Sequence, residues 1–167
     1  VLMNSLTVNL HLMLMAFYDP DVTNGRVQVI IEEKAFPSDD YALQTHLDAR
    51  GVDSSKSIVR LRPREGEQLL REDDIFREIT SRAQKNTLAL VLLPGVQFYT
   101  GQVLPLADIT RVAHAHGAVV GFDLAHAVGN IPLALHDWDV DFAAWCTYKY
   151  LNGGPGGVGG AFVHQRH

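Results

Sequence analysis

Leu88-Ala89-Leu90-Val91-Leu92-Leu93, closed by Pro94-Gly95, is the stretch that decides the fold. An unbroken apolar run of this length has no polar face, so a strand made from it must be covered on both sides. Outward from it, helical and extended patterns alternate. Upstream, the sequence predicts a helix from Asn4 to about Phe17 and a short buried strand over Val27-Gln28-Val29-Ile30-Ile31, ending at Glu32-Glu33-Lys34. A second helix, N-capped by Ser38 or Asp39, runs to Ala49 and stops at Gly51, and extended chain from Ser57 to Leu61 is broken by Pro63. A third helix is expected from Leu69 to Gln84, with acids early and bases late. Downstream come a helix over Leu106 to His116, a strand over Ala118-Val119-Val120-Gly121-Phe122-Asp123, and two more strands over Phe142 to Cys146 and Gly159 to Val163. Apolar strands separated by helices imply the α/β class, a mainly parallel sheet flanked by helices on both faces. No repeat, linker or low-complexity stretch divides residues 1–167, which read as one domain or part of one.

Net charge is −5, with 14 basic and 19 acidic residues spread along the chain. That leaves no basic stripe for nucleic acid and no polybasic anchor for a membrane. The apolar stretch Leu10 to Phe17 is too short to span a bilayer, and no basic segment precedes it as a signal peptide requires. A single cysteine, Cys146, excludes an internal disulfide and a multi-cysteine metal site; in strand-like surroundings it reads as a buried, inert thiol in a reducing, cytoplasmic compartment. The chain opens on Val1 and stops at Arg166-His167 directly after a strand, which reads as a fragment of something longer.

On sheets of this kind ligands bind beyond the carboxyl ends of the strands. Phe36-Pro37-Ser38-Asp39, Pro94-Gly95, Asp123 and Thr147-Tyr148-Lys149 all fall there. An aspartate at a strand end, then a lysine, then a glycine run is what a pyridoxal phosphate site needs. The lysine amine forms the Schiff base, and the aspartate keeps the pyridine nitrogen protonated so that the ring can accept electrons. Taken singly, Asp123 could cap the next helix and Lys149 could simply be solvated. His126 follows Asp123 by one turn and could stack on the same flat ring or hydrogen-bond beside it. Tyr148 could donate a hydrogen bond to a phosphate or relay a proton, or be an aromatic at a strand end. Phe36 offers a face for ring stacking, with Asp39 as a second carboxylate, and Ser38 or Asp39 could also serve as a helix cap. Asn152-Gly153-Gly154-Pro155-Gly156-Gly157-Val158-Gly159-Gly160 lacks the Gly-Lys-Ser/Thr close of a Walker loop. It reads equally as a close approach of backbone to the cofactor lysine or to a second subunit, and as a flexible loop. Scattered His114, His116, His164 and His167 offer no metal-ligand spacing.

The chain resembles the kynureninases. The resemblance rests on Phe122-Asp123-Leu124-Ala125-His126-Ala127-Val128-Gly129-Asn130, His136-Asp137-Trp138, Val140-Asp141-Phe142-Ala143, Tyr148-Lys149-Tyr150-Leu151-Asn152 and Gly156-Gly157. It extends to Leu6-Thr7-Val8-Asn9-Leu10-His11-Leu12, Lys34-Ala35-Phe36-Pro37-Ser38-Asp39, Pro63-Arg64-Glu65-Gly66-Glu67 and Phe98-Tyr99-Thr100-Gly101-Gln102. These matches run in one order from end to end. The resemblance implies a fragment of the large domain of a fold type I pyridoxal 5'-phosphate enzyme, homodimeric when whole, that hydrolyses L-kynurenine or 3-hydroxykynurenine to the anthranilate and L-alanine. It assigns Lys149 to the Schiff base, Asp123 to the pyridinium nitrogen, Phe36 to ring stacking, and the turn of Phe36, Pro37, Ser38 and Asp39 to the cofactor's surroundings. Leu6, Thr7 and Tyr148 would hold the phosphate, His126 would contact the cofactor, and Tyr148 would serve as proton donor or relay. Pro94-Gly95-Val96 departs from the family's Ser-Gly-Val, so one hydroxyl contact is missing. A cysteine desulfurase-like lyase of the same fold type shares the Asp-x-x-His and the strand-end lysine, and the remaining alternative is an inert fragment that, lacking the partner's and the small domain's residues, neither holds the cofactor firmly nor turns over.

Overall fold

The computed structural model describes all residues, 1–167. In chain order the elements are α1 (Leu6–Phe17), β1 (Gln28–Glu32), α2 (Pro37–Ala49), α3 (Ser54–Ser57), β2 (Ile58–Leu61), α4 (Glu72–Gln84), β3 (Leu88–Pro94), α5 (Leu106–His114), β4 (Val119–Asp123), β5 (Phe142–Trp145) and β6 (Gly160–Val163). They form one six-stranded sheet in the order β2-β1-β3-β4-β5-β6. All neighbours are parallel except β6, which returns antiparallel to β5. From β1 the chain goes out to β2 on one side and comes back to β3 on the other. The crevice this reversal opens at the strands' carboxyl ends, between β1 and β3, is where such sheets take ligands.

The apolar run of β3 is explained by two cores, one on each face. Leu90 and Leu92 join Val29 and Ile31 beneath α1 and α2, with Leu10, Leu14, Leu43 and Leu47 from the helices. Val91 and Leu93 join Ile30, Val120 and Phe122 beneath α4 and α5, with Ile75, Ile79 and Ile109. Each of these fully buried aliphatic side chains stabilises the fold by about 1.5–3 kcal/mol relative to exposure. Gly121 has to be glycine, because a Cβ there would meet the Phe142 ring at 2.1 Å.

Helix α1 starts at Leu6 and not at Asn4, and further boundaries differ from the sequence expectation. Helix α2 is capped by Phe36, with Pro37 at the first helical position, so Ser38 and Asp39 lie inside the first turn and neither caps. Helix α4 starts at Glu72 and not at Leu69. The backbone of Leu70 is captured instead by the Gln102 amide, which accepts from its N–H at 2.9 Å and donates to its carbonyl at 2.6 Å. Helix α5 ends at His114, because Gly117 turns with φ +73° and Ala118 N–H closes onto the Ala113 carbonyl at 3.1 Å. The single turn α3, capped by Asp53, was not expected. No helix is long and apolar enough to cross a membrane.

Candidate active site

A cavity of about 490 Å³ opens at the carboxyl ends of β1, β3, β4 and β5, against the N-termini of α1 and α2. Leu6, Thr7, Phe36, Ser38, Asp39, Asp123, His126, Tyr148 and Lys149 line it. Of the residues singled out in the sequence, Pro37 alone does not reach the cavity wall; its ring is exposed and its work is to start α2.

The lysine and the aromatics are held by the loops between strands and helices. Lys149 Nζ lies 5.6 Å from the centre of the Phe36 ring and 6.0 Å from that of Tyr148. Phe36 is braced edge-on by Phe98 at 5.2 Å and leaves 43 % of its surface open to the cavity. Gln97 fixes that arrangement: its amide donates to the Lys34 carbonyl at 2.8 Å while its oxygen accepts from Tyr99 and Thr100 N–H. One buried side chain thus ties the loop after β3 to the loop that carries Phe36. His126 is held below its ordinary basicity by burial and by the Lys149 charge, so its ring is neutral at pH 7. Burial and the Cys146 thiol raise the Tyr148 phenol, which keeps its proton.

Opposite the lysine sits a cluster of buried acids. Asp123 ends β4 and takes a hydrogen bond on Oδ1 from Ala125 N–H at 2.7 Å. Asp39, 6 % exposed, accepts from the Ser38 hydroxyl at 3.3 Å and lines the cavity with Asp123, and burial together with the Asp123 charge pushes its carboxyl far above the usual range. Glu32, at the end of β1 and 5 % exposed, completes the group; burial and the Asp123 charge push it up to about 7. Glu32 was not foreseen as a site residue, nor were Val96, Phe98 and Ala125 in the wall.

The other end of the cavity is the start of α1. Ser5 occupies the cap position without a side-chain hydrogen bond, and Leu6 and Thr7, at the positive end of the helix dipole, line the cavity. The glycine run makes this possible. A Cβ at Gly159 would meet the Trp145 carbonyl at 2.7 Å and Leu6 N at 3.3 Å, so only glycine lets α1 begin against the sheet. Gly153 and Gly157 close on Thr147, whose hydroxyl donates to the Val158 carbonyl at 2.7 Å, so the run is ordered around the lysine loop. Pro94 lines the cavity without a hydroxyl. An anion-binding helix end, an amine, an aromatic face and unpaired acids around one slot suit a flat ring that is cationic at one end and anionic at the other.

Known proteins resemble the chain along its whole length. Kynureninase from Salinispora tropica is 56 % identical over 167 residues, all of this chain and 38 % of that protein. Kynureninase from Rattus norvegicus is 53 % identical over 166 residues, 99 % of this chain and 35 % of that protein. The chain therefore spans little more than a third of the length of the curated relatives it matches. Among solved structures, an apo cysteine desulfurase from Thermococcus onnurineus NA1 superposes with a TM-score of 0.78 at 18 % identity, covering 99 % of this chain and 38 % of that one. The cystine C-S lyase C-DES, in complex with cysteine persulfide, superposes with a TM-score of 0.76 at 22 % identity, covering 98 % of this chain and 41 % of that one. These two share the fold. The family description Aminotransferase class-V matches residues 54–167, and the chain belongs to that family.

Proposed function

We propose that the chain is the cofactor-binding part of a kynureninase, a cytoplasmic homodimer that uses pyridoxal 5'-phosphate to hydrolyse the Cβ–Cγ bond of L-kynurenine or 3-hydroxy-L-kynurenine, releasing the anthranilate and L-alanine. The observation that carries this reading is identity above one half, along essentially the whole chain, with proteins named kynureninase. The cavity fits the cofactor on its own terms, because its buried carboxyls lack a cation and its helix end lacks an anion.

Bound pyridoxal phosphate would supply a protonated ring able to take up the electron pair left when the substrate loses its Cα proton. Lys149 Nζ would attach the cofactor and, once displaced by the substrate's amino group, accept that proton. Asp123, backed by Asp39, would hold the proton on the ring nitrogen. Phe36 would cover one face of the ring, and His126, being neutral, could stack on it or accept a hydrogen bond without adding charge. The N–H groups opening α1 at Leu6 and Thr7, with the Tyr148 hydroxyl, would bind the phosphate. Tyr148, which keeps its proton at neutral pH, could donate it to the carbanion that cleavage leaves.

The test is made in the full-length protein. Borohydride reduction in the presence of pyridoxal phosphate should fix a pyridoxyl group on Lys149, located by peptide mapping, and kynurenine should yield anthranilate. Lys149→Ala should lose the fixed group and lower turnover by about 10²–10⁴-fold or more. A reducible attachment that survives in Lys149→Ala, or a protein that loads the cofactor and leaves kynurenine intact, would sink the assignment.

A further inference from the structure

Glu32 has no assigned task, and its surroundings are unusual. It is 5 % exposed, and its carboxyl makes no hydrogen bond to another residue. The cation nearest to it in effect, Arg60 on β2, is engaged by Asp40 of α2 at 2.6 Å. The other charged groups acting on it are Asp39 and Asp40 from α2 and Asp123 from β4, all negative. A buried acid without a partner is costly, and a fold keeps it where something it does not itself contain will offset it. Glu32 also lies in the wall between two spaces. On one side is the cavity of Asp123 and Lys149; on the other is a second cavity of about 390 Å³, lined by Glu33, Lys34, Gln97 and Thr100 among others.

We infer that Glu32 is a positioning residue for the cofactor's ring nitrogen, a third carboxyl that ionises behind Asp39 and Asp123 and exchanges its proton through the second cavity. The inference rests on the cofactor reading above. With the site empty, Glu32 is about half protonated at pH 7, because burial and Asp123 lift it to about 7. When a cationic ring enters, the carboxyl is drawn to its charged form, and its proton leaves on the side away from the ring. The added negative charge then tightens the hold on the ring-nitrogen proton as the pH rises, which is when that proton would otherwise be lost.

Glu32→Gln keeps the shape and removes the titration. In the full-length protein, protons released on loading pyridoxal phosphate are counted by calorimetry in buffers of different ionisation enthalpy, and ring-nitrogen protonation is followed by ¹⁵N NMR of the labelled cofactor. Wild type should release more protons at pH 7 than Glu32→Gln, by up to about half a proton per site. The ring nitrogen of the variant should lose its proton at lower pH. Equal proton counts and an unchanged ring-nitrogen titration overturn the role. A separate arm needs no cofactor: the melting temperature of the unloaded variant should match wild type at pH 4, below the carboxyl's unfolded pKa, and exceed it at pH 8. A match at pH 4 shows that the variant folds, and a match at both pH values shows that Glu32 does not titrate as a buried acid. If wild type takes up no cofactor, the cofactor reading fails and this role fails with it, while the melting arm still reports whether Glu32 is the titrating group.

Discussion

The two ends of the sheet treat a buried carboxylate in opposite ways. At the amino end, Asp141, 4 % exposed, is saturated: it accepts from His114 Nε2 at 2.8 Å, Val120 N–H at 2.7 Å, His167 Nε2 at 2.9 Å and the Arg166 guanidinium. Burial alone would raise its pKa, but the donors from His114, Arg166, Val120 and His167 outweigh it and hold the group below the usual carboxylate range. At the carboxyl end, Glu32 and Asp39 are equally buried, meet other acids and are pushed up. A saturated acid is structure, clamping the start of β4 to the start of β5. Unsaturated acids hold on to their protons instead, and a cation brought beside them would favour the charged form.

The comparison breaks most readily at Asp141. Asp141→Ala strips the acceptor shared by Val120 N–H and the half-buried His114, Arg166 and His167, and the expected loss is about 1.5–3 kcal/mol of stability in urea unfolding at pH 7. If Asp141→Ala unfolds at the same urea concentration as wild type, the saturated end is not structural. The next effect is the response to pH. Glu32 binds its proton more tightly folded than unfolded, so its stabilisation is full at low pH and fades as pH rises through about 7. From pH 5 to pH 8 the unloaded protein should lose roughly 2 kcal/mol through Glu32 alone. Asp141, with its pKa depressed, is lost only as pH falls below the ordinary carboxylate range and contributes nothing to that window. A flat stability profile between pH 5 and pH 8 would show that the two ends do not differ. The smallest effect sharpens the comparison by adding a donor to the ligand end. Pro94→Ser places a hydroxyl in the cavity wall and should tighten cofactor binding by no more than about tenfold, equal to one hydrogen bond. A weaker-binding Pro94→Ser would mean that the proline is a fitted part of the wall.

What was legible in the sequence follows from what is local. The β3 run announced a two-sided sheet because burial on both faces removes alternation. Asp123, Lys149 and Phe36 could be picked out because strand ends are visible and their residue types suit a cofactor. Glu32 was not, since Glu32-Glu33-Lys34 reads only as the end of a strand; the fold buries the first of the three, with Asp39 of α2 beside it in the cavity wall. Leu69 and Leu70 extend the apolar pattern of α4, and nothing nearby in the chain reveals that Gln102 will claim the Leu70 backbone. The caps expected at Ser38 and Asp39 failed for a related reason: Asp39 faces the acids of the cavity, and Pro37 opens the helix without an N–H to satisfy.

The pinning of α1 by the glycine run also orders events in time. Met3 N–H donates to the Gly159 carbonyl at 3.1 Å, Gly159 N–H to Asn4 at 2.6 Å, and Asn9 Nδ2 to the Gly160 carbonyl at 3.2 Å, across 151 positions of sequence. Contacts so distant in the chain form late, after the local helices and the central strands have given the closing loop its anchor points. On the ribosome, α1 leaves the tunnel long before the strand that must receive it. The α1 end of the cavity is therefore the last part of this segment to be finished, and a nascent chain interrupted before Gly159 would carry the lysine and both aspartates with α1 still undocked.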